Sequence, residues 1–392
     1  MIDNDLNIDK RFCSGCGACE AICPVNAISF CVDDRGLNYP EICKKTCINC
    51  NLCFKVCSRK EEINNIELPR TEDLKSDAYY GYSLNSSLRY RAATGGLVSQ
   101  IAKSALDSDF VDLVVAADQN EDNEIVIKFL NSDDIEYIPN GSIYRQVVLL
   151  KDYISKIKEL NANRILVIGL PCHIAAVKAL HELSPRIKNR ELYTVSLFCK
   201  QTKDERFSDF IRSYLKAKNK TDKIIYRGNG WPGTTMVDGK RTACTDFRFG
   251  FMWGTFCYTP DYCLKCRDCL GANADISIGD AWLKKYMTTD DQGSSLFLIN
   301  SEKGHQLYNL VKFKILAKSE SIENVIKSQN LNVIREKEQL SYRFINKKFP
   351  HKKEMLKSKT IAEFLYDNKI SLFVPKIILK TFYRFVLAKL RS

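Results

Sequence analysis

Three strings in the middle of the chain, RILVIGL (164–170), HIAAVKALHEL (173–183) and LYTVSLF (192–198), decide the fold. The first and third are short runs rich in Ile, Leu, Val and Tyr, the mark of buried strands. The second carries apolar residues at helical spacing. Strand, helix and strand in close succession predict a parallel pair joined by a crossover helix, the unit of an α/β domain. Cys172 lies just past the first strand and Cys199 just past the second. Open α/β sheets build their sites at the carboxyl ends of strands, so two parallel neighbours would bring these thiols to one edge. Each alone would ordinarily be a small buried hydrophobe.

Outward from this unit the alternation continues. LVSQIAKSAL (97–106) and VVLLKDYISKIKEL (147–160) read as helices, VDLVVAA (111–117) and IVIKFL (125–130) as strands.

The N-terminus has a different character. Cys13, Cys16, Cys19 and Cys23 form C-x2-C-x2-C-x3-C followed by Pro24, and Cys47, Cys50, Cys53 and Cys57 repeat the spacing with Ser58 in place of proline. A [4Fe–4S] cubane needs four thiolates; a tight loop supplies three, and in two-cluster ferredoxins the fourth comes from the other motif. The expected sets are therefore Cys13, Cys16, Cys19 and Cys57 for one cluster, and Cys47, Cys50, Cys53 and Cys23 for the other. Zinc knuckles use paired C-x2-C motifs with wider gaps. Cys31 and Cys43 stand outside both motifs. Ala27, Ile28, Phe30, Val32 and Leu37 read as the short strands and turns between the clusters.

A second Cys-x-x-Cys, in YCLKCRDC (262–269), lies some 200 residues further on. Cys263 and Cys266 with Cys172 and Cys199 complete a four-thiolate set, with Cys257 and Cys269 in reserve. Zinc takes four thiolates too, and a lone C-x-x-C can be a redox pair. A third iron–sulfur cluster is favoured because electrons leaving the first two need a continuing route.

The bulk composition fits this picture. At 392 residues and 45% apolar content the chain has room for two or three domains. Seventeen cysteines behind a polar N-terminus, MIDNDLNIDKRF, point to thiols that hold metals in a reducing compartment rather than to a secreted disulfide scaffold. No run approaches the roughly 20 apolar residues of a membrane span. The net charge of +12 resides in the tail: from Lys312 onward there are nineteen Lys/Arg against seven Asp/Glu. The four histidines, His173, His181, His305 and His351, stand in no triad-like setting.

Six strings, in order, carry a family resemblance: RAATGGLVSQIA (91–102), VIGLPCHIAAVKAL (167–180), LFCK (197–200), RGNGW (227–231), CLKCRDC (263–269) and ADISIGDAW (274–282). Together they resemble the family formed by the beta subunits of coenzyme F420-reducing hydrogenases and dehydrogenases, over roughly residues 78 to 325. That family includes 7-hydroxymethyl chlorophyll a reductase and bacterial members found beside surface-polysaccharide genes, and a fused ferredoxin domain is common in it. The resemblance implies an iron–sulfur flavoprotein with FAD bound next to a [4Fe–4S] cluster. It implies that Thr94, Gly95 and Gly96 form the family's Ser-Gly-Gly loop, where glycines admit a cofactor and the next helix offers its N–H groups to a phosphate. It places Gly228, Gly230 and Trp231 near the isoalloxazine, and Asp280 where a carboxylate could hydrogen-bond the flavin or cap a loop. Lys200 could face an anionic ligand or be solvated.

The expected fold class is thus an α/β (α+β) flavin-binding domain behind a ferredoxin-like two-cluster domain. The expected divisions are a two-cluster domain at 1–62, a linker at 63–78, the two parts of the flavin domain at 79–160 and 161–345, and a basic tail at 346–392. VPKIILKTFYRFVLAKLRS (374–392) reads as an amphipathic helix suited to a membrane surface or a partner subunit; no recognition motif for nucleic acid accompanies the charge. Two functions compete. One is a cytoplasmic FAD-dependent oxidoreductase, peripheral at the inner membrane face, that exchanges electrons between a donor or acceptor protein and F420 or a polysaccharide-pathway compound. The other is an electron-transfer adaptor for a separate catalytic subunit. No catalytic residue is assigned, since hydride chemistry would reside in the flavin.

Overall fold

The computed structural model describes residues 12–58, 75–219, 221–254 and 256–331. Most of the expected linker and the whole 374–392 segment lie outside the described residues. The central feature is an eight-stranded sheet built from β3 (Asp77–Ser83), β4 (Leu113–Gln119), β5 (Ile125–Leu130), β6 (Arg164–Gly169), β7 (Glu191–Leu197), β11 (Ile276–Asp280), β12 (Ser295–Ile299) and β13 (Ile315–Ser319). Its order is β13-β3-β12-β11-β7-β6-β4-β5. The inner strands β4, β6, β7 and β11 are mutually parallel, with Arg164 opposite Glu191 and Ile276 opposite Val195. Antiparallel strands flank them on both sides. A small antiparallel sheet of β8 (Ile224–Ile225), β9 (Thr234–Val237) and β10 (Lys240–Ala243) stands apart.

Side-chain alternation along the parallel strands feeds two cores, as expected of strands buried on both faces. One face sends Leu113, Val115, Ile165 and Val167 under Ile174, Val177 and Leu180. The other sends Val114, Leu166, Ile168 and Val195 under Leu97, Ile101 and Leu106. The covering helices are α4 (Leu97–Asp107), α5 (Tyr153–Glu159) and α6 (Pro171–Leu183).

The expected helix over 147–160 begins only at Tyr153. Residues 149–152 form turns where the chain meets the N-terminal module: the Leu150 N–H donates to the Cys16 carbonyl at 2.9 Å. That module consists of α1 (Ala18–Ile22), the hairpin β1 (Ile28–Val32) with β2 (Asn38–Ile42), and α2 (Leu52–Lys55). It shares a core with the body, since Ala18, Ile22 and Val56 pack into the cluster that holds α5 and α6. Burying Ile22 and Val56 there is worth roughly 1.5–3 kcal/mol each. Polar contacts fix the register: Gln146 Oε1 accepts from the Asn38 N–H, and the Glu205 N–H donates to the Arg35 carbonyl at 2.9 Å. Arg186 donates to the carbonyls of Ala21 and Ile22 at 3.1 and 3.2 Å. Gly17, at φ +92°, is required at the contact, because a Cβ there would lie 2.7 Å from the Lys151 backbone nitrogen.

Candidate redox centre

The loop carrying Cys13, Cys16 and Cys19 turns through Gly15 and Gly17, both at positive φ, and enters α1 at Ala18. Burial raises the Cys19 thiol well above its ordinary pKa, and nearby Cys16, Cys13 and Cys57 raise it further. Cys57, from the second motif, is therefore a neighbour of the first loop, which is the crossing that the two-cluster pattern requires. In return Cys23 packs with Cys47 and Cys53 in a small core with Ala27 and Ile28. The Cys53 thiol is raised by burial first, then by Cys50 and Cys47. Backbone N–H groups point at sulfur: Gly15 to Cys13 at 3.4 Å, Ala27 to Cys23 at 3.2 Å and Asn49 to Cys47 at 3.5 Å. Such donors stabilise thiolate charge and tune cluster potential. The two sets differ in surroundings: Cys50 is exposed, whereas the Cys13–Cys19 loop faces the body.

The body supplies the third set. Cys172 sits in the first turn of α6, Cys199 two residues past β7, Cys263 in the short helix Asp261–Lys265 and Cys266 at that helix's end. All four line one small cavity that opens partly to solvent. Burial holds the Cys199 thiol well above its ordinary pKa, with Cys263, Cys172, Cys266 and Cys269 adding to the shift. The Thr202 N–H donates to Cys263 Sγ at 3.3 Å. Lys203 anchors this loop from below, its ammonium buried and donating to the carbonyls of Cys257 at 2.7 Å and Met252 at 3.1 Å. Of the reserve cysteines, Cys269 is buried beside Cys199, whose N–H donates to its carbonyl at 2.8 Å, and Cys257 belongs to a separate core around Tyr226 and Tyr258. Neither lines the cavity. Lys200 lines it, and desolvation lowers its pKa. Ser14, from the first cysteine loop, lines the same cavity. The Cys13–Cys19 loop and the body set thus share a wall.

Among the described residues, no three or more His, Cys, Asp or Glu side chains converge as they would around a single ion.

The glycine strings meet at the same sheet edge, beyond the ends of β3 and β11 and the start of β12. Gly96, at φ +72°, caps α4 without a side-chain hydrogen bond to its first turn. Thr94 Oγ1 donates to the Ser294 carbonyl at 2.8 Å, and the Gly95 N–H to Ser295 Oγ at 3.1 Å. The Gly230 N–H donates to the Tyr90 carbonyl at 2.9 Å and the Trp231 N–H to that of Asp291 at 2.7 Å. A Cβ on Gly228 would lie 3.1 Å from the Arg91 carbonyl oxygen. Asp280 is held by Arg227 through both oxygens, at 2.8 and 2.5 Å, and accepts from Trp231 Nε1 at 3.3 Å. Burial opposes the Arg227 charge, yet Asp280 keeps its pKa above the ordinary value. Trp282 lies against Trp231, ring centroids 5.4 Å apart, with the Arg227 guanidinium 4.8 Å from its ring. Asp280 is therefore committed inside the protein, as the partner of an arginine that opens the RGNGW string.

The chain is similar to known proteins over most of its described length. Two family models for the beta subunit of coenzyme F420 hydrogenase/dehydrogenase match the body, the C-terminal one over residues 162–324 and the N-terminal one over 78–151. The chain belongs to that family. A 4Fe-4S binding domain model matches residues 6–29. Among the family's curated relatives, the coenzyme F420-dependent sulfite reductase of Methanocaldococcus jannaschii is 22% identical over 87% of this chain. The chain spans only about half of that relative, 52% of its length. A subunit of the F(420)H(2) dehydrogenase of Methanosarcina mazei is 24% identical over 78% of this chain and 84% of its own. A chain of the F420-reducing [NiFe] hydrogenase complex from Methanosarcina barkeri shares the fold, with TM-score 0.53, 15% identity, and coverage of 72% of this chain and 95% of that one. The sulfite reductase and the dehydrogenase subunit are oxidoreductases or parts of one, and the N-terminal iron–sulfur module fits electron transfer. Sequence reasoning missed Ser14, Gln146 and Arg227, which gain their roles only through contacts distant in the chain.

Proposed function

We propose that this chain is an iron–sulfur flavoprotein oxidoreductase that passes electrons between an external protein and a hydride donor or acceptor. One observation carries the reading: Cys172, Cys199, Cys263 and Cys266 surround a cavity whose wall includes Ser14 of the first cysteine loop. The ligand sets would be Cys13, Cys16, Cys19 and Cys57 for the cluster beside the body, Cys23, Cys47, Cys50 and Cys53 for the cluster with the exposed Cys50, and the four body cysteines for a third [4Fe–4S] cluster. The sulfur-directed N–H groups suit thiolates.

A bound FAD would supply the two-electron chemistry and exchange single electrons with the clusters. Thr94, Gly95 and Gly96 fit its phosphates, since α4 begins with backbone N–H groups that no side chain caps. Gly228, Gly230 and Trp231 line up beside them; Asp280 would orient Trp231 and Arg227 rather than touch the flavin. The hydride partner would be F420 or a polysaccharide-pathway compound. A cytoplasmic site, peripheral at the inner membrane face through residues 374–392, remains part of the proposal on the tail's charge. Among the described residues no helix is long and apolar enough to cross a membrane.

Anaerobic purification with iron, sulfide and released-flavin assays tests this directly. About 12 iron and one flavin per chain are expected, at four iron per cubane, and Cys263→Ser should remove about four of them. About 8 iron without flavin would defeat the body assignment. The exposed Cys50 favours a second reading, an adaptor that only relays electrons. Reduced F420 decides between them: an enzyme turns over many times, while an adaptor is reduced once and stops.

A further inference from the structure

His173 stands between two of the cysteine sets. It follows Cys172 in the first turn of α6 and is only 3% exposed. Its Nδ1 lies 3.2 Å from the Leu170 backbone nitrogen, and its Nε2 lies 3.1 Å from the Val147 carbonyl oxygen. The Leu170 N–H can only donate and the Val147 carbonyl can only accept. Nδ1 therefore carries no proton and Nε2 carries one, so the ring is neutral and its tautomer is fixed from both ends. Gly169, at the end of β6, makes room for this ring: a Cβ there would lie 2.9 Å from His173 Cβ and 3.2 Å from Nδ1. The first bond closes the start of α6; the second leaves the helix for a segment 26 residues earlier. The module rests on that segment. Gln146 accepts from the Asn38 N–H, the Leu150 N–H donates to the Cys16 carbonyl at 2.9 Å, and a Cβ on Gly15 would strike the Gln146 side chain. Ser14, Gln146, Val147, Cys172 and His173 line one cavity.

We propose that His173 is a positioning residue, a strut that sets the separation between the Cys13–Cys19 loop and the body cysteines. The inference rests on the reading of both sets as cluster sites. An unbroken series of links carries it: Cys172 precedes His173 in sequence, His173 holds Val147, and Leu150 on the same segment holds Cys16. A residue serving the helix alone would need only the Leu170 bond. A shorter side chain makes that bond elsewhere in this protein, where Asp134 accepts from the Asn131 N–H at 3.2 Å. The Nε2 bond adds nothing to α6 and ends on the seam between module and body. Groups behind metal ligands act by orienting them, and a site is as precise as the shell that supports it. Electron exchange between two centres falls steeply with their separation, so His173 would act on it through distance.

The test separates the two bonds in the full chain, anaerobically reconstituted, with iron and sulfide measured first. His173→Asn keeps an acceptor for the Leu170 N–H but is too short to reach Val147. His173→Gln supplies an acceptor and a donor with the longer reach. Dithionite-reduced samples are compared by electron paramagnetic resonance, in which neighbouring clusters couple and broaden each other's signals. Cys263→Ser gives the signal of the module alone. Wild type and H173Q should show body-to-module coupling, and H173N, still at about 12 iron per chain, should lose most of it. Hydrogen exchange at 146–150 should rise in H173N and return to the wild-type level in H173Q. If H173N takes up too little iron, Gly169→Ala, which displaces the ring but keeps the histidine, should lose the coupling in its place. A loaded H173N or Gly169→Ala with wild-type coupling would overturn the strut and leave the cluster reading intact, whatever its melting midpoint. Unchanged exchange at 146–150 in H173N, or a loaded wild type without body-to-module coupling, would do the same. About 8 iron per chain in the wild type would overturn both.

Discussion

Cys13, Cys16 and Cys19 lie against the body, their loop bonded to Leu150 and its glycines pressed on Gln146 and Lys151. Of Cys47, Cys50 and Cys53, on the same spacing, Cys50 is exposed, while Cys47 and Cys53 are half-buried against Cys23. Identical local chemistry thus acquires two different positions in an electron path. The inner set adjoins the body cavity through Ser14; the outer set adjoins solvent. Spacing determines that a cubane can form, whereas packing determines what it can exchange electrons with.

The most severe way to break this asymmetry is Gly17→Val. Left-handed backbone costs a side-chain-bearing residue about 1–2 kcal/mol, and the new Cβ would meet the Lys151 backbone at 2.7 Å. A combined loss of about 3 kcal/mol or more, with lifting of the module, is expected from urea unfolding and hydrogen exchange at 146–152. Gly239→Ala is the control: φ is +71° but nothing lies within 4 Å, so about 1 kcal/mol should be lost. Equal losses at the two positions would mean that docking carries no energy.

A second comparison pits Cys19→Ser against Cys50→Ser. Each should lose about four iron per chain. Only Cys19→Ser should also lower the melting midpoint by more than about 5 °C, because its cluster lies where the module joins the body. Matching midpoints in the two variants would erase the inner–outer distinction.

Gln146→Ala is milder. It leaves the Asn38 N–H without its acceptor at the module–body seam, for a loss of about 1–3 kcal/mol with iron content unchanged. Arg186→Ala removes two hydrogen bonds from an exposed side chain and should cost no more than about 1 kcal/mol by the same assay.

The local features of this architecture were legible in the sequence. The parallel pair β6 and β7, with Cys172 and Cys199 at its carboxyl edge, follows from two apolar runs around a helical one. The antiparallel flanks were not legible, because no periodicity announces that Ser295 pairs with Gly81 or Ile315 with Ser83. The helix over 147–160 was overextended because its apolar start is buried in the core shared by the module and α6, with the Leu150 N–H spent on the Cys16 carbonyl. Asp280 illustrates the limit for sites. Its position at a strand end suggested a ligand contact or a loop cap, and nothing local showed that Arg227, 53 residues earlier, holds both carboxylate oxygens. A seam or an ion pair of that kind belongs to the folded chain and has no local signature.

The place of β3 has a consequence for how the protein is made. This strand is the first of the body to leave the ribosome, yet its neighbours on both sides are β12 and β13, among the last. More than 200 residues must be synthesised before Tyr80 meets Leu296 and Lys318. The cysteine motifs of the module emerge much earlier, so iron can be captured at the N-terminus while β3 still waits for both partners. Cutting the body between β5 and β6 would leave β3 with neither, which makes the two family segments one folding unit despite their separate sequence signatures.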